Sequence, residues 1–210
     1  MNVTFKILLG VAVIALIYMC YSSVFVQWNF ENEAKLRQDI IALRLIDIRK
    51  AQIEYKNIHK EHTPSFDTLA KFLNEEKLPF LVKEGVLTDD QLEQGMTEQE
   101  AVKKGIIRRD TIWVTAKDTL FGKDFVAEDL RYVPGMKIQF SMDTATISSG
   151  SGYIVKVFEA GVKYNDYLGD LDKQLLFNLN ELANTRNKYA GLRVGSLTEI
   201  NNNAGNWEDL

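Results

Sequence analysis

Residues 7–26 read ILLGVAVIALIYMCYSSVFV, an unbroken stretch with no charged side chain. Its length matches the ~20 residues that a helix needs to cross hydrocarbon. A core helix of a soluble protein shows a polar face, yet only Ser22 and Ser23 interrupt this surface, both toward one end. Lys6 precedes the run, and Tyr18, Tyr21, Phe25, Trp28 and Phe30 gather at its far end, where amphipathic rings favour the headgroup region. The stretch is therefore expected to be a transmembrane anchor. Its apolar surface would be formed by Ile7, Leu8, Leu9, Val11, Val13, Ile14, Leu16, Ile17, Val24, Phe25 and Val26. A cleaved signal peptide fits less well, because its apolar region is usually ~7–15 residues long and ends in a small-x-small site that is missing here. Cys20 raises the question of lipidation, but Ile17-Tyr18-Met19 before it lacks the small residues of a lipoprotein processing site.

The cations near the membrane, Lys6 on one side against Lys35, Arg37 and Arg44 on the other, do not fix the orientation. The segment just after the anchor, Gln27 to Ala34, holds Glu31 and Glu33 and no cation. Large C-terminal domains cross membranes largely regardless of charge, so the expectation is a single-pass inner-membrane protein with its soluble domain in the periplasm.

Outward from the anchor, Glu33 to about Lys60 is free of Gly and Pro, and Ile40, Ile41, Leu43, Ile48, Ala51, Tyr55 and Ile58 recur at spacings of three and four. This predicts an amphipathic helix, possible to join to the anchor without a break, with Ile40, Ile41, Ile48, Ala51, Tyr55 and Ile58 as candidate packing or interaction residues. Arg44 and Asp47 on that helix suggest an ion pair or a register-setting contact with a neighbouring subunit. In HTPSFDTLAKFL, Thr63 as N-cap and Pro64 at the first position predict a second helix to about Glu76. Residues 78–110 are expected to form a mixed connector. It contains two capping-box patterns, Thr88 to Gln91 and Thr97 to Glu100, the second opening a short helix that Gly105 ends.

Beyond Gly105 the period changes to two. Thr111–Ala116, Lys137–Met142, Ala145–Ser148, Tyr153–Glu159 and Val162–Leu168 are predicted strands, with turns at Asp143-Thr144, SSGSG and Ala160-Gly161, in an antiparallel meander. A last helix is expected over Leu171–Lys188, and a turn-rich tail places Leu192, Val194 and Trp207 against the sheet. The fold class is α+β. Residues 1–30 form leader and anchor, 31–77 the amphipathic and second helices, 78–110 the connector, and 111–210 the sheet with its helix and tail; 31–210 make one soluble domain.

Much chemistry is disfavoured. The net charge of −4 comes without a basic stripe to neutralise phosphates, which argues against nucleic acid. Cys20, the single cysteine, lies in the apolar run, so the soluble part has no disulfide, zinc-thiolate site or reactive thiolate. His59 and His62 flank Glu61 at a helix end, but a zinc site needs three or four convergent ligands. SSGSG runs into the strand YIVKVF, whereas a phosphate loop leads through Lys-Ser/Thr into a helix. Asp89-Asp90, Glu98/Glu100, Asp118/Asp124 and Glu208-Asp209 lack diagnostic spacing for acid–base work. In the tail, Asn201, Asn202, Asn203, Asn206, Glu208 and Asp209 are the least implausible oxygen set for calcium, with a solvated turn as the simpler reading. No catalytic, metal or cofactor site is expected.

The order of elements, together with Ala51, Tyr55, Pro64 and Leu69 in IRKAQIEYKNIHKEHTPSFDTLAKFL, resembles type IV pilins and type II secretion pseudopilins over about the first third of the chain. The resemblance implies a subunit that assembles through its N-terminal helix. The run departs from that pattern at KILLG, where a prepilin has a Gly-Phe processing site and an early Glu. The pieces RRDTIWV, DTLFG, LRYVPG and GLRVGSLTE also resemble uncharacterised membrane-anchored envelope proteins of Bacteroidetes-type bacteria. The leading expectation is a noncatalytic protein that scaffolds or binds an envelope component for secretion or surface assembly, with the lipid bilayer and a protein as partners and a homo-oligomer as an option. The alternatives are a pilin-like subunit and a membrane-tethered hydrolase using Asp or Glu.

Overall fold

The computed structural model describes residues 3–88, 91, 95–148, 150 and 152–208. The protein is α+β, with antiparallel sheets. Its first element, α1 (Val3–His59), is one helix without interruption. No Pro or adjacent Gly pair occurs within it to introduce a kink, and it runs about 85 Å at 1.5 Å per residue. From Ile7 onward it is long and apolar enough to cross a membrane.

The chain divides into two compact units, one formed by residues 1–65 with 130–210 and the other by 66–129. In the first, β3 (Ser141–Ser148), β4 (Ile154–Lys163) and β5 (Gly191–Gly195) form an antiparallel meander in that order. A short helix α5 (Tyr164–Tyr167) follows β4, and α6 (Lys173–Thr185) precedes β5. Asp172 caps α6 by accepting from the backbone N–H groups of Gln174 and Leu175, both at 3.0 Å. The core of this unit takes Ala34, Ile41, Leu45, Ile48 and Gln52 from α1, which recur at helical spacing, together with Phe158, Tyr167, Leu168 and Val194.

The predicted turns at Asp143-Thr144 and Ala160-Gly161 lie inside strands: Asp143 pairs with Glu159 and Ala160 with Met142. Small and polar residues mimic a turn signal here, but Gly161 answers to crowding. A Cβ on it would stand 2.8 Å from the Cβ of Arg193 and from the carbonyl oxygen of Leu192. The predicted Val162–Leu168 strand splits between the end of β4 and α5. The third strand is β5, in the stretch expected to be tail.

Gly195 ends β5 with φ +73°, and a Cβ there would fall 2.1 Å from the Phe158 carbonyl oxygen. Both the backbone conformation and the space exclude a side chain. Gly195→Ala is expected to destabilise this unit by about 2 kcal/mol or more, a shift that denaturant unfolding of the full chain reads directly.

In the second unit, α2 (Phe66–Glu75) buries Leu69, Phe72 and Leu73, and β1 (Lys77–Glu84) pairs antiparallel with β2 (Arg108–Thr115). Residues 78–84, expected as connector, are thus a strand, and β2 belongs to a two-stranded sheet of its own. Pro79 obscures β1 in the sequence because proline normally marks a non-strand, but a two-stranded ribbon has a free edge on each strand that can accept one. The helix α3 (Glu98–Lys103) carries the expected capping box of Thr97 and Glu100, and α4 (Ala116–Leu120) continues from β2 under a Thr115 cap. A 3-10 turn spans Ala127–Arg131. Asp89-Asp90 of the earlier capping pattern, Ser149 and Ser151 of SSGSG, and Asp209 of the tail lie outside the described residues.

Candidate functional site

The second half of α1 and α6 enclose a groove of about 580 Å³ within the first unit. Phe30, Ala34 and Ala42 of α1, Leu179 and Leu182 of α6 and Trp207 of the tail are among the residues that line it. Glu31, Lys35, Asp39, Arg186 and Lys188 also border it, so an apolar floor is rimmed by charges of both signs. This arrangement suits docking of an apolar side chain or helix better than bond-making chemistry.

Arg37 of α1 lies outside that lining and bonds the segment that follows α5. Its guanidinium donates to both carboxylate oxygens of Asp170 at 2.6 and 2.8 Å, to Glu33 at 2.9 Å and to the Tyr167 carbonyl oxygen at 2.7 Å. Such a fork ties the segment after α5 to α1 with fixed geometry. The Arg37 hydrogen bonds hold the Asp170 carboxyl below the usual carboxylate range, and Asp170 in turn raises the Arg37 pKa further. The signal for Arg37 in the sequence is its register: it falls on the buried face of α1 between Ala34 and Ile41.

Gln52 occupies the same face at the other end of α1, fully buried. Its amide nitrogen donates to the Thr63 carbonyl oxygen at 2.6 Å and to Met142 Sδ at 3.1 Å, while its oxygen accepts from the Thr63 N–H at 3.2 Å and lies 3.3 Å from His62 Nδ1. The amide thereby uses both donors and both acceptor positions, and it assigns the proton of His62 to Nδ1. His62 is 6% exposed and its Nε2 has no hydrogen-bond partner among the described residues. Burial, followed by the charge of Lys56, lowers the His62 pKa from 6.5 to about 4.

Between these values the unfolded chain carries a proton that the native imidazole does not, so stability falls as pH falls through that window. The slope is expected to flatten in His62→Gln, measured by denaturant unfolding between neutral pH and pH 4. Lys56, Glu61 and Lys156 are the charged groups around this imidazole, Lys156 pairing with Glu61 at 3.0 Å.

The residues singled out from sequence are distributed as follows. The eleven anchor residues are 43–71% exposed along α1. Ile41, Ile48 and Ala51 are fully buried, Ile40 and Ile58 are exposed, and Tyr55 stacks on the His59 ring at 4.3 Å. Asp47 meets Lys50 at 3.8 Å, and burial raises its pKa against the opposing charges of Lys50 and Arg44. In the tail, Asn206 accepts from the Arg193 N–H and donates to the Gly191 carbonyl oxygen, and Glu208 pairs with Arg49 at 2.7 Å. These groups fasten the tail to β5 and α1. Among the described residues, no three His, Cys, Asp or Glu side chains converge as a metal-binding set.

Compared with known proteins, the chain matches no family model, no curated protein and no solved structure.

Proposed function

We propose that this is a noncatalytic, single-pass membrane protein whose periplasmic part scaffolds or binds a component of the cell envelope, using the groove between α1 and α6. The observation that carries the reading is the continuity of α1: its exposed, charge-free first part and a second part that buries one face in the soluble unit are one helix. A domain built around the extension of its own anchor is held at a set height above the bilayer, which is what a tethered scaffold requires. The groove supplies an apolar floor with a mixed-charge rim, a surface chemistry suited to a protein partner.

Topology is the first test. In a Cys20→Ala chain, single cysteines at Lys123 and Tyr153 are expected to react with an impermeant thiol reagent on intact spheroplasts. Reaction only after lysis overturns the periplasmic assignment. A photo-crosslinker at Leu182 should then give one discrete heterologous band.

A second reading, a pilin-like subunit assembling through α1, is favoured by Leu36, Ile40 and Leu43. These residues follow at spacings of four and three and are 57%, 38% and 65% exposed, forming an apolar stripe. A crosslinker at Leu43 that yields a ladder of homo-oligomers would select this reading over the first.

A further inference from the structure

Because α1 does not break, the height of each of its residues above the apolar run follows from its number, at 1.5 Å per residue. The start of α6 meets α1 low on that scale. Asp172, Gln174 and Leu175 share a pocket with Ser23, Val26 and Gln27. Leu179 and Leu182, further along α6, line the groove with Phe30 and Ala42 instead. Thus α6 runs away from the apolar segment, its first turn nearest to it, and Val26 is the last residue of the apolar run, four uncharged residues before Glu31.

The surface at this level has the composition of a membrane interface. Trp28 is 59% exposed on α1 and Phe177 is 58% exposed on α6. Lys173, one turn before Phe177 and on the same side of the helix, is exposed as well. An aromatic ring beside a long cationic chain suits the boundary between acyl chains and headgroups, since both side chains bury apolar length while keeping polar parts wet. The nearby Asp170 carboxylate is paired with Arg37, and that fork fixes the segment leading into α6.

We infer that the first two turns of α6, through Lys173 and Phe177, rest with Trp28 in the headgroup layer of the bilayer that α1 crosses, giving the soluble part a second, peripheral contact with lipid. The inference rests on the anchor reading. The occupant is lipid, because the continuous helix places this surface level with the end of the membrane segment, where the bilayer itself must be.

The test uses the full chain, Cys20→Ala, in vesicles of phosphatidylethanolamine and phosphatidylglycerol, with a nitroxide at one position at a time: Lys173→Cys, Phe177→Cys, Tyr153→Cys or Ile14→Cys. Tyr153 is 75% exposed and lies near Lys156, whose carbonyl oxygen accepts from Lys56 far along α1, so it reports the aqueous end. Labels at 173 and 177 are expected to show a ratio of oxygen to nickel-chelate accessibility several-fold above that at 153 and below that at 14. Water-like ratios at 173 and 177 with a hydrocarbon-like ratio at 14 overturn the lipid contact while the anchor stands. Low accessibility to both reagents at 173 and 177 signifies burial against protein and overturns it too. A water-like ratio at 14 refutes the anchor reading itself.

Discussion

Leu45→Ala is expected to destabilise the unit built on the second half of α1 by about 2–5 kcal/mol, the range for removing a buried leucine side chain from a packed core. Leu45 is fully buried, between Ile41 and Ile48 on the same helix face, both also fully buried. The neighbours of the truncated side chain come from a rigid helix, so collapse around the cavity is limited. Leu43→Ala, two residues away, is the matched control. That side chain is 65% exposed, and its loss is expected to change stability by no more than about 0.5 kcal/mol. Denaturant unfolding of the full chain, with hydrogen exchange on the amides of α1 and β4, distinguishes the two. Equal losses would mean that the buried face of α1 is misassigned.

The largest expected effect lies in the apolar run. Val13→Arg combined with Leu16→Arg exchanges two favourable side chains for two that each cost about 2.5–3.5 kcal/mol near the centre of a membrane helix. The pair should shift insertion by about 6–8 kcal/mol, enough to move the chain from the carbonate-resistant membrane fraction to the extractable one. Val13 is 48% exposed and Leu16 61% exposed, so the substitutions leave the packed units untouched. A double-arginine chain that stays resistant to extraction would falsify the anchor reading. A chain that leaves the membrane with native-like protection at β4 and β5 would support it.

The apolar run is legible in sequence because an uninterrupted charge-free stretch needs no partner for its interpretation. The second half of α1 is less so. Spacings of three and four select residues that lie near one another on a helix, and here Ile40, Leu43 and Ile58 satisfy the rule while exposed, alongside Ile41 and Ile48, which are buried. Leu45 and Gln52 complete the buried row, and a glutamine on that row is readable only once Thr63 and Met142 are known to meet it. In the sheet, strand content was visible from the β-branched residues, but Gly161 and Asp143 looked like punctuation. Their place is set by the opposing strands, which a local reading cannot see. Pro79 hid β1 for the same reason, since pairing with β2 decides the matter. The groove combines residues from Phe30 to Trp207, and its signal is distributed over side chains that are individually ordinary.

The absence of any hinge in α1 also has a mechanical consequence. From Val26 to Lys56 the helix is a stiff rod of about 45 Å, so in a chain anchored as proposed it acts as a lever with its fulcrum at the bilayer surface. A tilt of about 20°, ordinary for a membrane helix adjusting to local bilayer thickness, sweeps the far end sideways by about 15 Å. Bilayer thickness would then set how far from the membrane normal the domain presents the groove, and a shorter reach would accompany a thinner membrane.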